Sequence, residues 1–264
     1  MKGITITTLA LFGLIFSAST LAQDKEVQDM SDPTAVYTQA GIGVTNKGIN
    51  IKIGDSYDTG NADTMAMNII EIKGIAGDIF GWDSGRVKDN SVDTFRVRNV
   101  TLDLTNGRGA QIDLNFNRKD NHLADENGNL SYAVIQAFPK VWRLNFYPLI
   151  GGGMEFGNNV IEDDGSIDSG YSVQGFNALV GTYIKLAITE KLWLNYNPFY
   201  FTTLSGSDNY VDNAFGDGND DILTHEFATS YQFTPTFNIR YYANWSEYTD
   251  FDDGDHRIEV NYQL

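Results

Sequence analysis

The sequence contains no cysteine among its 264 residues and only five prolines. A secreted fold without cysteine cannot rely on disulfides, so burial or complete backbone hydrogen bonding must stabilise it. Basic residues are also scarce, because 18 Lys and Arg stand against 35 Asp and Glu, which gives a net charge of −17. A nucleic-acid-binding surface must neutralise phosphates, so this charge argues against a nucleic-acid partner.

Long apolar runs are missing everywhere except near the N-terminus, where a mainly apolar stretch extends from Ile4 to Phe16. This stretch follows Lys2 and leads into small residues that end at Ala22, a pattern typical of a secretory signal peptide. It is too short for a membrane-spanning helix, and no later stretch approaches the roughly 18 apolar residues that such a helix needs. We therefore predict a signal peptide over 1–22 and no transmembrane helix in the mature chain.

What the chain does contain is many aromatic residues (13%) and 26 glycines, a mixture that favours strands joined by turns. Twelve segments show apolar and polar residues in alternation, the period of a strand with one apolar face and one polar face. Most are long enough to cross a bilayer as tilted strands, which takes about 9–11 residues. The candidate strands run roughly over 35–44, 48–57, 64–76, 93–104, 110–117, 130–138, 141–156, 171–188, 191–204, 221–233, 236–249 and 255–264.

The connections between these segments alternate between short and long. Tight connections at 139–140 and 234–236 contrast with long polar ones at 157–170 and 205–220. An up-and-down barrel in an outer membrane has this asymmetry, with short periplasmic turns and longer outer loops. We predict an all-β, antiparallel transmembrane barrel of about twelve strands. The first two segments are the least regular, so ten strands are an alternative, and a soluble sandwich or lipocalin-like barrel would also alternate.

The chain ends inside a strand pattern, since Ile258, Val260, Tyr262 and Leu264 share one face of the last segment. With the signal peptide and the alternating strands, this end resembles the Gram-negative outer-membrane β-barrel proteins over essentially the whole mature chain. That family usually ends in Phe or Trp, and Leu264 departs from the pattern. In size and strand number the chain is similar to small monomeric channels such as the acidic-oligosaccharide-specific porins.

The resemblance implies a location in the Gram-negative outer membrane after removal of the signal peptide. It implies contact with outer-membrane lipid and lipopolysaccharide, and with the barrel-assembly machinery and periplasmic chaperones during biogenesis. The expected organisation is a signal peptide over 1–22, a short periplasmic N-terminal segment over 23–34 and a transmembrane barrel over 35–264.

Charged residues of both signs lie on the polar faces of the predicted strands. A lysine or arginine on the lipid face would cost about 2–4 kcal/mol at the bilayer midplane, so these side chains are expected to point inward. Rings of charge inside a barrel select among ions and solutes, whereas ion pairs across a narrow lumen would make the wall rigid; the sequence supports both interpretations. The predicted pore-lining residues are Lys52, Lys73, Arg96, Asp113, Arg143, Lys185, Glu226, Arg240, Arg257 and Glu259, with Glu71 and Asp103 on the same predicted face.

Three functions remain open at this point. The first is a porin-like channel for diffusion of small hydrophilic solutes, for which a relatively basic lumen would favour anionic sugars. The second is a structural or adhesive barrel with a closed lumen and acidic surface loops. The third is an outer-membrane hydrolase, for which the only signal is the adjacent pair Asp255 and His256. One neighbouring pair is a weak signal for catalysis, so we expect no enzyme and no cofactor. We also expect no metal site, because the acidic loops lack the spacing of a calcium-binding loop.

The four tryptophans favour the membrane interpretation. Trp142 and Trp193 follow short turns, and Trp82 and Trp245 lie near predicted outer ends. Amphipathic rings collect at the two membrane interfaces, so these positions predict aromatic belts.

Overall fold

The computed structural model describes residues 27–45, 47–77 and 92–264. Within these residues the chain forms antiparallel strands that close into one barrel, in which each strand pairs with its neighbours in sequence and the last strand pairs with the first. The strands are β1 (Gln39–Thr45), β2 (Gly48–Tyr57), β3 (Thr64–Ile75), β4 (Thr94–Asp103), β5 (Arg108–Asn117), β6 (Glu126–Gln136), β7 (Leu144–Ile161), β8 (Ile167–Ala187), β9 (Leu192–Gly206), β10 (Asp221–Thr234), β11 (Phe237–Ser246) and β12 (Asp255–Gln263). The connections hold a short helix, α1 (Asp208–Asn213), and a 3₁₀ turn over Phe251–Asp253.

The prediction of a twelve-stranded up-and-down barrel is confirmed, and the ten-strand alternative is wrong, because β1 and β2 are hydrogen-bonded parts of the wall. The last strand closes the barrel as expected: Ile258 lies opposite Val44 of β1 and opposite Tyr241 of β11. One boundary needs correction. The first strand begins at Gln39 and not at residue 35, because the chain before it turns into the barrel, where Val36 is buried.

Side chains alternate between the two faces of the wall, and the outward face is apolar. Ile42 of β1 and Ile53 of β2 are 47% and 57% exposed, and exposed isoleucine, valine, leucine and tyrosine side chains recur on the other strands. A soluble barrel would bury these side chains in its core, whereas an exposed apolar band around a closed barrel is what a lipid bilayer covers. The outward face therefore defines a transmembrane barrel.

The connections differ between the two ends of the barrel. The inner end, defined as the end where β1 begins and β12 ends, carries the connections 58–63, 104–107, 137–143, 188–191 and 235–236. The outer end, defined as the opposite one, carries 46–47, 76–93, 118–125, 162–166, 207–220 and 247–254. The three longest described connections, 118–125, 207–220 and 247–254, are at the outer end, as predicted. The hairpin of β7 and β8 adds to them, since its 18 and 21 residues exceed the length needed to cross a bilayer.

The described tryptophans do not all lie at the membrane interfaces. Trp142 is exposed in an inner-end connection, and Trp245 lies near the outer end of β11. Trp193 does not join an aromatic belt, because it is 3% exposed and stacks under Arg240 inside the barrel. Trp82 lies outside the described residues. No helix among the described residues is long and apolar enough to cross a membrane.

Candidate functional site: the charged lumen

The lumen carries charged side chains on nearly every strand, because the residues that alternate with the outward apolar ones point inward. Placing the apolar residues in lipid fixes the direction of these charged residues, which would be costly on the other face. Among the described residues the inward cations are Lys52, Lys73, Arg96, Arg98, Lys185, Arg240 and Arg257, and the inward carboxylates of the wall are Glu71, Asp113, Glu155, Glu226 and Glu259.

Glu259 of β12 is the centre of one ion-pair cluster. Its carboxylate lies 2.7 Å from Nζ of Lys52 and 3.3 Å from Nε of Arg257, and Glu259 is 5% exposed. The two cations belong to strands on either side of β1, which carries glycine at the inward positions 41 and 43. A Cβ atom at Gly41 would stand 3.2 Å from Cε of Lys52, and one at Gly43 would stand 3.3 Å from the Arg257 side chain. These two glycines therefore leave the space in which the cations lie across β1.

The second cluster joins β3, β4 and β5. Arg98 pairs with Glu71, and Lys73 lies 3.5 Å from the same carboxylate. Arg96 binds Asp113 with two nitrogens, and its Nε lies 2.9 Å from one carboxylate oxygen. Bidentate pairs of this kind are the strongest and most directional that arginine makes.

The remaining carboxylates are held by amides instead of cations. Glu155 accepts hydrogen bonds from Nδ2 of Asn127 at 3.1 Å and of Asn129 at 2.8 Å. Glu226 accepts a hydrogen bond from Nδ2 of Asn197 at 2.7 Å. These residues belong to β6, β7, β9 and β10, so this side of the barrel is rich in amides and carries uncompensated acid.

The lumen is therefore electrostatically asymmetric. All the inward cations except Lys185 belong to β2, β3, β4, β11 and β12, which form one contiguous arc through β1. The opposite arc carries Glu155 and Glu226 among asparagines. Two opposed arcs of unlike charge produce a field across the lumen, and low-dielectric walls focus such a field.

Aromatic rings hold two of the guanidinium groups in place. Arg257 lies 4.2 Å above the ring of Tyr242, and Arg240 lies 5.6 Å above the ring of Trp193. Flat contacts between cations and aromatic rings fix the orientation of a long side chain that would otherwise be mobile.

The inner mouth of the lumen is occupied by the chain itself. Residues 29–37 pass inside the barrel before β1 begins, and Met30 and Val36 are 3% and 2% exposed. Val36 packs against Met67 and Ile69 of β3, while Arg240 donates a hydrogen bond to the backbone carbonyl of Met30. We call these nine residues the inner plug. The sequence predicts a periplasmic segment over 23–34, and within it residues 29–34 lie inside the inner end of the barrel.

Asp29 begins the inner plug and meets Lys185 of β8 at 3.0 Å. Burial alone would raise the pKa of the Asp29 carboxyl, but hydrogen bonds from Ser31 and the charge of Lys185 outweigh burial and lower that pKa. Asp29 therefore carries its negative charge at neutral pH and neutralises the wall cation nearest to it.

The outer end is narrowed by the connection 207–220, which contains α1. Ser207 caps this helix by accepting a hydrogen bond from the backbone of Tyr210, and the Tyr210 side chain is 2% exposed. Asn177 of β8 donates a hydrogen bond to the Tyr210 hydroxyl at 3.3 Å. Burial raises the pKa of Tyr210 to about 12, so the hydroxyl stays protonated. The ring thus reaches inward over the wall near the outer end.

Two side chains predicted on the lumen face lie elsewhere. Arg143 is exposed in the inner-end connection 137–143, where it donates a hydrogen bond to the carbonyl of Ile188 at 2.9 Å. Asp103 ends β4 and accepts hydrogen bonds from Thr105, so it stabilises a turn. Arg143 precedes β7 and lies outside the alternation, whereas Asp103 is seven positions from Arg96 on β4, so the alternation places it on the opposite face.

Two lumen residues were missed by sequence reasoning. Arg98 is two positions from Arg96 on the same strand and therefore faces the same way; the alternation alone identifies it. Glu155 is on the inward face of β7, but the glycines around it hide the alternation. Glu259 lies directly opposite Arg240 on the neighbouring strand, yet it binds Lys52 and Arg257 instead.

The geometry gives no support to a catalytic pair at Asp255 and His256. Adjacent residues of a strand point to opposite faces. The two ring nitrogens of His256 contact the Tyr241 hydroxyl at 2.8 Å and the Phe251 carbonyl at 2.9 Å. Asp255 lies 3.8 Å from Lys47. In the part of the chain that the structure describes, no cluster of three or more metal-ligating side chains is found.

A closed barrel with an apolar outside and a charged inside defines a protein of the transmembrane β-barrel class, and comparison with solved structures gives the type. The barrel is similar to the NanC porin, with a TM-score of 0.51 and 11% identity over 87% of this chain and 100% of that one. It is also similar to an outer-membrane channel from Pseudomonas putida F1, with a TM-score of 0.52 and 9% identity over 90% of this chain and 98% of that one. The fold is thus that of outer-membrane porins and channels. No protein-family model and no curated protein matches the sequence.

Proposed function

We propose that this protein is a channel of the Gram-negative outer membrane through which small hydrophilic solutes diffuse, with a preference for anionic ones. The chain is secreted through a signal peptide over 1–22 and lies among outer-membrane lipid and lipopolysaccharide. The barrel-assembly machinery and periplasmic chaperones bring it there.

The observation that carries this proposal is the contiguous arc of cations on β2, β3, β4, β11 and β12, opposite an arc rich in amides. A lumen that served only as a rigid support would need no such separation of charge, because paired charges distributed evenly would make the wall equally rigid. Cations along one side give an anion a series of favourable contacts through the membrane, and amides opposite replace its lost water.

The least buried cations of the arc lie where a solute would meet them. The side chains of Lys73 and Arg96 are 30% and 29% exposed inside the barrel, and Asn115 near Arg96 is an exposed inward residue. Exposure of inward side chains indicates solvent-accessible space beside them. We assign the selectivity of the channel to this level of the lumen.

A closed structural barrel is the second candidate, and a specific observation favours it. Glu71, Asp113 and Glu259 contact five of the six cations of the arc, and the inner plug occupies the inner mouth. In this alternative the ion pairs and the plug serve stability alone, and the protein passes no current.

Conductance in a planar bilayer separates the two functions. We expect purified, folded protein to conduct in KCl and to show a reversal potential under a salt gradient that indicates preference for chloride. Replacing two cations in Lys73→Gln/Arg96→Gln should lower that preference, because the removed charges border the solvated part of the lumen.

The matched control is Arg143→Gln, which removes one positive charge from an exposed inner-end connection outside the lumen. This variant should keep the selectivity of the unmodified protein. The proposal is wrong if protein that shows the heat-modifiable migration of a folded barrel conducts neither in its unmodified form nor with the inner plug loosened by Met30→Ala/Val36→Ala. It is also wrong if Lys73→Gln/Arg96→Gln and the control shift the reversal potential equally.

A further inference from the structure

Two polar contacts of the inner plug are with cations that form no ion pair with a wall carboxylate among the described residues. Lys185 has its ion pair with Asp29, and Arg240 donates to the carbonyl of Met30, the next residue in the chain. We propose that residues 29–37 form a displaceable plug, and that Asp29 and Met30 occupy a binding site for small carboxylates formed by Lys185 and Arg240. This inference rests on the proposed channel function and adds to it a regulated inner mouth.

The site has the geometry of an anion site. Two successive residues of the plug reach both cations, because the Asp29 carboxylate contacts Lys185 and the Met30 carbonyl contacts Arg240. A solute with two acceptor groups spaced as these two plug oxygens are would contact both cations. Lys185 is 9% exposed and has no other ion-pair partner among the described residues. Nε of Arg240 is buried and lacks a hydrogen-bond partner in the present arrangement, so the guanidinium group has a donor free for a carboxylate oxygen.

The plug satisfies this site only in part. A backbone carbonyl carries no net charge, so the Arg240 guanidinium group gains less from Met30 than it would from a carboxylate. The Asp29 side chain is 64% exposed, and an ion pair so accessible to water contributes little. A solute that places a carboxylate on both cations would therefore compete well with the plug's polar contacts.

Contacts of the buried Met30 and Val36 side chains then hold the plug in place. Met30 lies against the amides of Gln232 and Asn238, with its sulfur 3.3 Å and 3.6 Å from their nitrogens, and Val36 packs on Met67 and Ile69. The plug has no regular secondary structure and no backbone ladder to the wall before β1. Removing Met30 and Val36 should therefore release it without disturbing a strand.

The first experiment compares conductance of the full chain with that of Met30→Ala/Val36→Ala. Loss of two buried side chains should shift the balance between seated and released plug by at least about tenfold. We expect the double variant to conduct more than the unmodified protein. The matched control is Ile42→Ala/Val44→Ala, which removes two apolar side chains from the lipid face of β1 and should leave conductance unchanged.

The outcomes separate this inference from the proposed function. Equal conductance of the unmodified protein and the Met30→Ala/Val36→Ala variant would overturn the plug while the channel stands. Absence of conductance in both folded proteins would instead overturn the channel.

The second experiment tests the binding site directly through Trp193, whose ring lies under Arg240. Titration of the Met30→Ala/Val36→Ala variant with glucuronate should change tryptophan fluorescence to saturation, whereas uncharged glucose should not. Adding Trp193→Phe should remove the signal, and adding Arg240→Gln should weaken binding by about tenfold or more, because a charged hydrogen bond is lost. A glucuronate response equal to that of glucose, or unaffected by Arg240→Gln, would overturn the site.

Access to the plug can be measured independently, because the natural chain has no cysteine. In Met30→Cys, the single thiol should react slowly with a water-soluble maleimide and faster when glucuronate is present. A labelling rate that glucuronate leaves unchanged would contradict displacement of the plug by carboxylates.

Discussion

At the scale of single residues, two lumen carboxylates, Glu259 and Glu71, each contact two cations. Glu259 is the clearest case: it is 5% exposed and lies between Lys52 and Arg257. Removing one member of a buried ion cluster is more costly than removing the whole cluster, because the remaining charges are left uncompensated. The same reasoning applies to Glu71, which binds Arg98 and lies near Lys73.

Glu259→Gln is therefore expected to lower the free energy of unfolding by about 3 kcal/mol, since two largely buried cations lose their counter-charge. Urea unfolding in lipid vesicles, followed by tryptophan fluorescence, measures this change. Glu190→Gln is the control, because Glu190 lies exposed in the inner-end connection 188–191 and its replacement should change stability little. Equal losses of stability in the two variants would show that Glu259 has no structural role.

At the scale of elements, β1 carries two requirements at once. Its outward residues, such as Ile42, contact lipid. Its inward glycines leave space for the long side chains of the neighbouring strands. The strand is short, and it owes its place to pairing on both sides, with β2 and with β12. A free edge in lipid would leave backbone groups without partners, so this pairing is what closes the wall.

Position within the membrane should determine the cost of a charge on the outward face. Ile42 is at the middle of β1, and Ile42→Lys should cost about 2–4 kcal/mol of folding free energy, whereas near an interface the cost falls to about 0–1 kcal/mol. Leu104→Lys provides the interface comparison, because Leu104 is exposed in the inner-end connection 104–107. Unfolding free energies of the two variants in vesicles measure the difference, and equal costs would contradict the membrane position inferred for β1.

At the scale of the whole molecule, the distribution of charge matters more than its sum. The chain has a net charge of −17, yet the described wall of the lumen has more cations than carboxylates. Acidic groups are concentrated in the outer connections, such as 162–166 and 207–220. A solute would therefore pass an acidic rim before it meets the cationic arc, and the arc would decide selectivity only where the lumen is narrow.

Ionic strength should separate these two influences. The Debye length falls from about 10 Å at 0.1 M salt to about 3 Å at 1 M. Charges that line a narrow lumen stay effective at short range, whereas the acidic rim is screened. We expect the preference for chloride over potassium, measured from reversal potentials, to persist or grow as KCl rises toward 1 M. A preference that turns toward potassium at high salt would indicate that the arc does not control passage.

The sequence by itself determined the wall. Twelve antiparallel strands were predicted from alternation with a period of two, tight turns at one end and an apolar face on the final strand. This works because successive side chains of a strand point to opposite faces. It also determined which way most charged side chains point, as at Arg96 and Glu259. It did not place Arg143, which lies in a connection outside the alternation, whereas the alternation itself puts Asp103 on the face opposite to Arg96.

Only the tertiary structure decided how the inward residues combine. Which cation Glu259 binds depends on the barrel's closure and on the space at Gly41 and Gly43, neither of which is a local property of the chain. The inner plug is the extreme case, since Asp29 and Lys185 are 156 residues apart in sequence. The sequence of residues 29–37 does not predict a segment that turns inward, because it shows no regular alternation of apolar and polar residues. Its position depends on the shape and charge of a cavity that exists only once the wall is closed.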